Sequence, residues 1–173
     1  MSKSKQIAEK LFQITKDEYG EKYRDHLIEQ YKLYVEMADR ISSRRQTAHS
    51  FFISLNTAII ALISYVKMNG SDATSFYCLI AFSGMVLAFM WYRLIRSYRD
   101  LNSAKFEVVH EIEARLPISP YDAEWEAVGR GMKPKLYLPF SHIEIYVPWI
   151  FFIIHFVVFL MCMLGPVVCN LKA

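Results

Sequence analysis

The stretch Ala48-His-Ser-Phe-Phe-Ile-Ser-Leu-Asn-Thr-Ala-Ile-Ile-Ala-Leu-Ile-Ser-Tyr-Val66 contains no Asp, Glu, Lys or Arg. It is about as long as the ~20 apolar residues a helix needs to cross a bilayer. Ser75–Tyr92 and Ile145–Leu171 are equally free of charge. A soluble domain of this size has no use for three such segments. The fold class is therefore an all-α integral membrane protein with three transmembrane helices, the first two continuing into a long antiparallel helical hairpin outside the membrane.

Working outward, residues 1–47 and 93–144 are rich in charge, which explains a hydrophobic fraction of 54% and a mean hydropathy of only +0.17 over 173 residues. The expected segments are a cytoplasmic N-terminal region at 1–47, spans at 48–66, 75–92 and 145–168, an outer turn at 67–74, a cytoplasmic helix and connector at 93–144, and an outer tail at 169–173. The net charge of +3 is small, and acidic and basic residues alternate, so no nucleic-acid partner is expected. The apolar segments begin too late for a secretory signal, and no cleavage is expected. Cys78, Cys162 and Cys169 form no C-x-x-C pair and read as small apolar residues. Cys78 and Cys169 both fall near the outer face, where a disulfide is open to them but is the poorer reading.

Of the 20 basic residues, ten lie in 1–47 and eight in 93–144. The positive-inside rule places both segments in the cytoplasm and the C-terminus outside. Arg40, Arg44, Arg45, Arg93, Arg96 and Arg99 cluster at the inner surface as anchors for anionic lipid headgroups, pairing with Asp39 and Asp100. Trp91, Tyr92, Tyr146 and Trp149 mark the same interface. Asn69-Gly70 reads as a turn; Asn69-Gly70-Ser71 also forms a glycosylation sequon.

Ile7, Leu11 and Ile14 predict a short amphipathic helix over 4–18, ending at Gly20 and packed on the protein. Leu27, Tyr31, Tyr34, Ala38 and Ile41 continue without Pro or Gly into the first span, so residues ~22–66 read as one helix. Beyond Trp91, the stripe Leu94, Tyr98, Leu101, Lys105, Val108, Ile112 and Leu116 extends the second helix over ~75–116, to Pro117. Leu27, Tyr31, Tyr34, Ile41, Tyr98, Leu101, Val108 and Ile112 are the expected oligomer stripe. A short helix follows over 120–128. Ser141 and Glu144 form an S-x-x-E capping box for the third helix. Pro148 is then expected to kink it, and Gly165-Pro166 to end or bend it.

Asn56, Thr57 and His155 lie mid-span. Polar side chains there face other helices, as interhelical hydrogen bonds or as the lining of a path. Asn56 and His155 sit at comparable depth and are placed to bond each other. Ser54-x-x-x-Ala58, Thr57-x-x-x-Ala61 and Gly84-x-x-x-Ala88 carry the small-x-x-x-small spacing of close helix packing. It serves the internal hairpin, contacts between subunits, or both.

The sequence has no P-loop, dinucleotide fingerprint, nucleophile elbow or zincin motif. Glu107-x-x-His110, with His26-x-x-Glu29 on the facing helix, is the nearest approach to a metal motif. The plainer reading is a solvated charged face, with no cofactor, no metal and no enzymatic activity expected.

Tyr31-Lys-Leu-Tyr-Val-Glu-Met-Ala-Asp-Arg-Ile-Ser-Ser-Arg-Arg-Gln-Thr-Ala-His-Ser-Phe-Phe-Ile-Ser-Leu-Asn-Thr57 and Trp91-Tyr-Arg-Leu-Ile-Arg-Ser-Tyr98 resemble the RipA family of small octameric bacterial inner-membrane proteins, most closely over residues ~27–115. The resemblance implies a homo-oligomer, specifically an octamer, with no catalytic residues to carry over. Three functions compete. The first is a non-enzymatic membrane scaffold that recruits an unidentified cytoplasmic protein. The second is a channel or permeabilising effector lined by Asn56 or His155. The third is an enzyme using Glu107 and His110.

Overall fold

The computed structural model describes residues 3–68, 74–132, 137 and 143–170, with residues 74 and 165–170 described in backbone only. Its helices are α1 (Lys3–Leu11), α2 (Lys16–Tyr19), α3 (Tyr23–Met68), α4 (Thr74–Glu113), α5 (Pro120–Ala127) and α6 (Val147–Asn170), with a 3₁₀ turn at Gly129–Gly131. No strand occurs among the described residues. Three helices, α3, α4 and α6, are long and apolar enough to cross a membrane. The Asn69-Gly70 turn, the sequon, Ser141 and the Cys169 side chain lie outside the described residues.

The chain divides into two compact units, residues 1–44 with 98–139 and residues 45–97 with 140–173. In the second, apolar unit, α3, α4 and α6 pack along seams of three- and four-residue spacing. Buried on α4 are Tyr77, Ala81, Gly84, Ala88, Trp91 and Ile95; on α3, Asn56 and Ile63; on α6, Pro148 and His155. Trp91 fills the centre. It stacks on Phe52 at 5.9 Å and 7° and meets His49 at 5.2 Å and Phe151 at 5.8 Å. It is fully buried, so it is a core residue and not an interfacial anchor.

In the first, charge-rich unit, α4 continues the same spacing through Lys105, Val109 and Ile112, facing Leu27 and Ala38 of α3. Lys105 lies 4.4 Å from the centre of the Tyr34 ring. The predicted α4 stripe has the right period but only part of its membership is buried. Lys105 and Ile112 are buried as members of it, Ile95 and Val109 are buried beside the predicted Leu94 and Val108, and Leu101 is exposed. Leu27 and Ile112, read as oligomer positions, pack inside the chain's own unit.

Other boundaries also shift for local reasons. The helix expected over 4–18 breaks because Thr15 caps α2, its hydroxyl accepting from the Glu18 N–H at 3.4 Å. Thr15-x-x-Glu18 is a capping box lying inside the apolar periodicity. Phe12, between the two helices, sits 3.2 Å beneath the Arg115 guanidinium. α1 is tied to α4 by Lys3–Glu107 at 2.6 Å and by Ser4 donating to Glu111. α4 stops at Glu113, its end tightened by bonds from Arg115 N to Ile112 O and Leu116 N to Glu113 O. α6 begins at Val147, so Pro148 occupies its first turn, where no N–H is required; residues 143 and 144 are also helical and are separated from α6 by a turn at 145–146. α6 also runs on through Gly165-Pro166 to Asn170.

A buried carboxylate pins α5. Glu113 accepts from the Tyr31 hydroxyl at 2.7 Å and from the backbone N–H groups of Tyr121 at 3.0 Å and Asp122 at 3.1 Å, in the first turn of α5. Burial and the Glu113 carboxylate push the Tyr31 phenol well above its usual range. The fold thus favours the protonated phenol. Its stabilisation is complete below about pH 10, the unfolded value, and is lost as pH rises beyond it. Tyr31→Phe should lower stability at pH 8 by about 1–3 kcal/mol, as expected for a hydrogen bond to a charged acceptor. The gap to wild type should narrow above pH 10 in thermal unfolding of the detergent-solubilised protein.

Candidate functional site: a polar seam inside the apolar unit

α3 places Arg45, His49, Phe52 and Asn56 on one face by steps of four, three and four residues. Arg45 Nε meets Glu144 Oε2 at 3.3 Å, with the two side chains only 17% and 4% exposed. Arg45 is therefore half of a buried ion pair rather than a headgroup anchor. Its partner Glu144 lies in a helical turn just ahead of α6. The remaining arginines stay on the surface or near it. Arg40 bonds Glu36 at 2.6 Å, not Asp39, and Arg99 lies 3.5 Å from Asp100. Arg96 bonds the Tyr92 hydroxyl at 3.2 Å, and Arg44 and Arg93 are exposed.

Further along, Asn56 Nδ2 donates to the Phe52 carbonyl at 2.8 Å. That bond orients the amide so that Oδ1 is left to accept. His155 Nε2 lies 3.1 Å from it. An amide oxygen cannot donate, so the imidazole carries its proton on Nε2. The opposite nitrogen, Nδ1, is buried without a hydrogen-bond partner. The ring lies flat against Gly84, where an added Cβ would come 2.5 Å from Nδ1 and Cε1. Gly84 is thus the seat of His155. Both Asn56 and His155 are fully buried within the chain.

The three small-residue motifs separate cleanly by helix. Gly84 and Ala88 are buried and serve internal packing. Ser54, Thr57, Ala58 and Ala61 are all exposed. Thr57, unlike Asn56, faces away from the seam. Ser64 and Ser83 donate to the carbonyls of Ile60 and Leu79 on their own helices, both at 2.9 Å, satisfying hydroxyls that lipid could not.

The residues suggested for metal chemistry are occupied elsewhere. Glu107 pairs with Lys3, His26 Nδ1 lies 2.7 Å from the Tyr19 hydroxyl, and Glu29 pairs with Lys32 at 3.0 Å. His110 faces Glu113 at 3.7 Å. Among the described residues, no group of three or more His, Cys, Asp or Glu is placed to hold a metal. Glu113, Glu144 and Trp91 were missed as organising residues. Glu144 carried a signal, being the acidic residue nearest the third charge-free segment.

This geometry defines a helical membrane protein in which the mid-span Asn56 and His155 meet each other within one chain. The model of the octameric membrane protein family (8xMP) matches residues 28–164, and the chain belongs to that family. No curated protein and no solved structure matches it.

Gly84→Ala should force the His155 ring off its seat at a cost of about 1–3 kcal/mol, the usual penalty for overpacking. The double variant Gly84→Ala/His155→Ala should lose much less than the sum of the two single changes. Unfolding in detergent measures the coupling, and strict additivity would contradict the contact.

Proposed function

We propose that the chain is a non-enzymatic homo-octameric scaffold of the bacterial inner membrane. Its N-terminus and residues 93–144 would lie in the cytoplasm, available to a protein partner, and its C-terminus outside. The family description supports the eightfold assembly. The narrower resemblance to RipA points the same way, and the basic-residue asymmetry supports the orientation.

One observation carries the assembly reading. α3 bears a second face, distinct from its internal seam, on which Leu33, Met37, Arg40, Arg44, Phe51, Ser54, Ala58 and Ala61 recur at three- and four-residue spacing and are all exposed. In lipid, exposure of apolar residues costs nothing, but small residues facing outward favour close helix approach. In the charge-rich segment, Leu33 at 58% and Met37 at 42% exposure are costly to leave in water. A second copy laid along α3 covers both. Ala58→Phe/Ala61→Phe adds apolar bulk that lipid tolerates and touches no internal contact. It should reduce the eightfold mass of the solubilised particle to monomer or small oligomers by light scattering. A variant that keeps the full mass would remove this face from the interface.

A channel remains the second reading for a geometric reason. Spans inserted in one direction restrict eight copies to a ring. Three-helix units about 20 Å across leave a central space on the order of 30 Å. Asn56 and His155, enclosed within each protomer, would not line it. Ion flux from protein-loaded liposomes separates the readings: a scaffold with a lipid-filled centre gives none.

A further inference from the structure

α4 and α6 run antiparallel in the apolar unit, as successive contacts record. Trp91 meets Phe151 at 5.8 Å, Gly84 seats His155, and Phe82 meets Phe159 at 6.3 Å. One turn further along that register come Cys78 and Cys162. Both are free and partly exposed, and the register of Gly84 against His155 and Phe82 against Phe159 sets them opposite each other on the two helices. Cys78 is the fifth residue of α4, so the pair sits toward one end of the unit and not at its apolar middle. The sequence left a Cys78–Cys169 pair open, and the helix register places Cys162 opposite Cys78.

We propose that Cys78 and Cys162 are a redox-active pair that closes to an intramolecular disulfide, fastening α6 to α4. The oxidant is a disulfide, either of a protein or of glutathione. One thiolate attacks it and forms a mixed disulfide. The second thiolate then displaces the remaining oxidant thiol. Two thiols of this chain lose two electrons and two protons, and the oxidant's disulfide becomes two thiols. Formation in the cell rests on the orientation proposed above, which puts this end of α4 in the oxidising compartment. The bond would leave the Arg45–Glu144 end of the unit unchanged.

The test is maleimide counting by intact mass on the full-length, detergent-solubilised protein. Reduced protein should take three adducts, and protein treated with oxidised glutathione only one, on Cys169. Cys162→Ser should restore labelling of Cys78 under the same treatment, and Cys169→Ser should leave the loss of two adducts intact. Three adducts after oxidation, a link to Cys169, or covalent dimers would each overturn the pair. In cells, acid-quenched membranes should show the same two-adduct loss. A membrane-impermeant maleimide on Met68→Cys, in a background lacking the native cysteines, reads the orientation separately. If it labels only from the cytoplasmic side, the orientation fails while the purified-protein result still decides the pair. If it labels from outside and Cys78 and Cys162 remain reduced in cells, the proposed redox role is overturned.

Discussion

Hydrocarbon offers no hydrogen-bond partner, so an amide and an imidazole placed halfway through a span must find each other or another helix. The contact between Asn56 and His155 meets that requirement, and much of the apolar unit is arranged around it. The Phe52 carbonyl fixes which end of the amide faces inward. Gly84 supplies a surface without a side chain on which the ring can lie. α3, α4 and α6 each contribute one member, so their mutual register is set by one small polar cluster rather than by apolar packing alone. In membranes, where lipid competes equally well for apolar surface, such a cluster confers specificity beyond its modest energy.

The same constraint recurs at one end of the unit. Arg45 and Glu144 are both withdrawn from solvent and paired; removing either would strand the other, at a cost of about 3–5 kcal/mol. Between the two polar contacts, Trp91 fills the space with aromatic surface from α3 and α6. In the charge-rich unit, Glu113 plays a comparable organising part, holding Tyr31 and the start of α5 with one carboxylate. With these contacts made internally, what remains on the outside of α3 is Phe51 with the small Ser54, Ala58 and Ala61 along the span, and Leu33 and Met37 beside Arg40 and Arg44 beyond it, a surface suited to another copy of itself.

Much of this was legible in the residues. Charge-free runs gave three spans, three-four spacing gave the long helices, and equal depth suggested the Asn56–His155 bond. The phase of the α4 stripe was not legible. Ile95 and Leu94, or Val109 and Val108, are adjacent aliphatics, and only the partner helix decides which is buried. Trp91 looked like an interfacial anchor because tryptophan beside arginine usually is one, and its burial depends on His49 and Phe52 arriving from α3. Glu113 and Glu144 are unremarkable in sequence, since a carboxylate becomes structural only when the chain brings its donors. Pro148 was expected within the third helix, whereas the break at 145–146 starts α6 at Val147 and puts the proline in its first turn.

An image of the particle in a lipid nanodisc tests the central claim most directly, that each protomer encloses its own polar seam and assembles through the outer face of α3. The account predicts eightfold symmetry, with Ser54, Ala58 and Ala61 against the neighbouring subunit and His155 enclosed between α3, α4 and α6 of one chain. A particle in which His155 faces the symmetry axis, or in which the Ser54–Ala61 face of α3 meets only lipid, would contradict it.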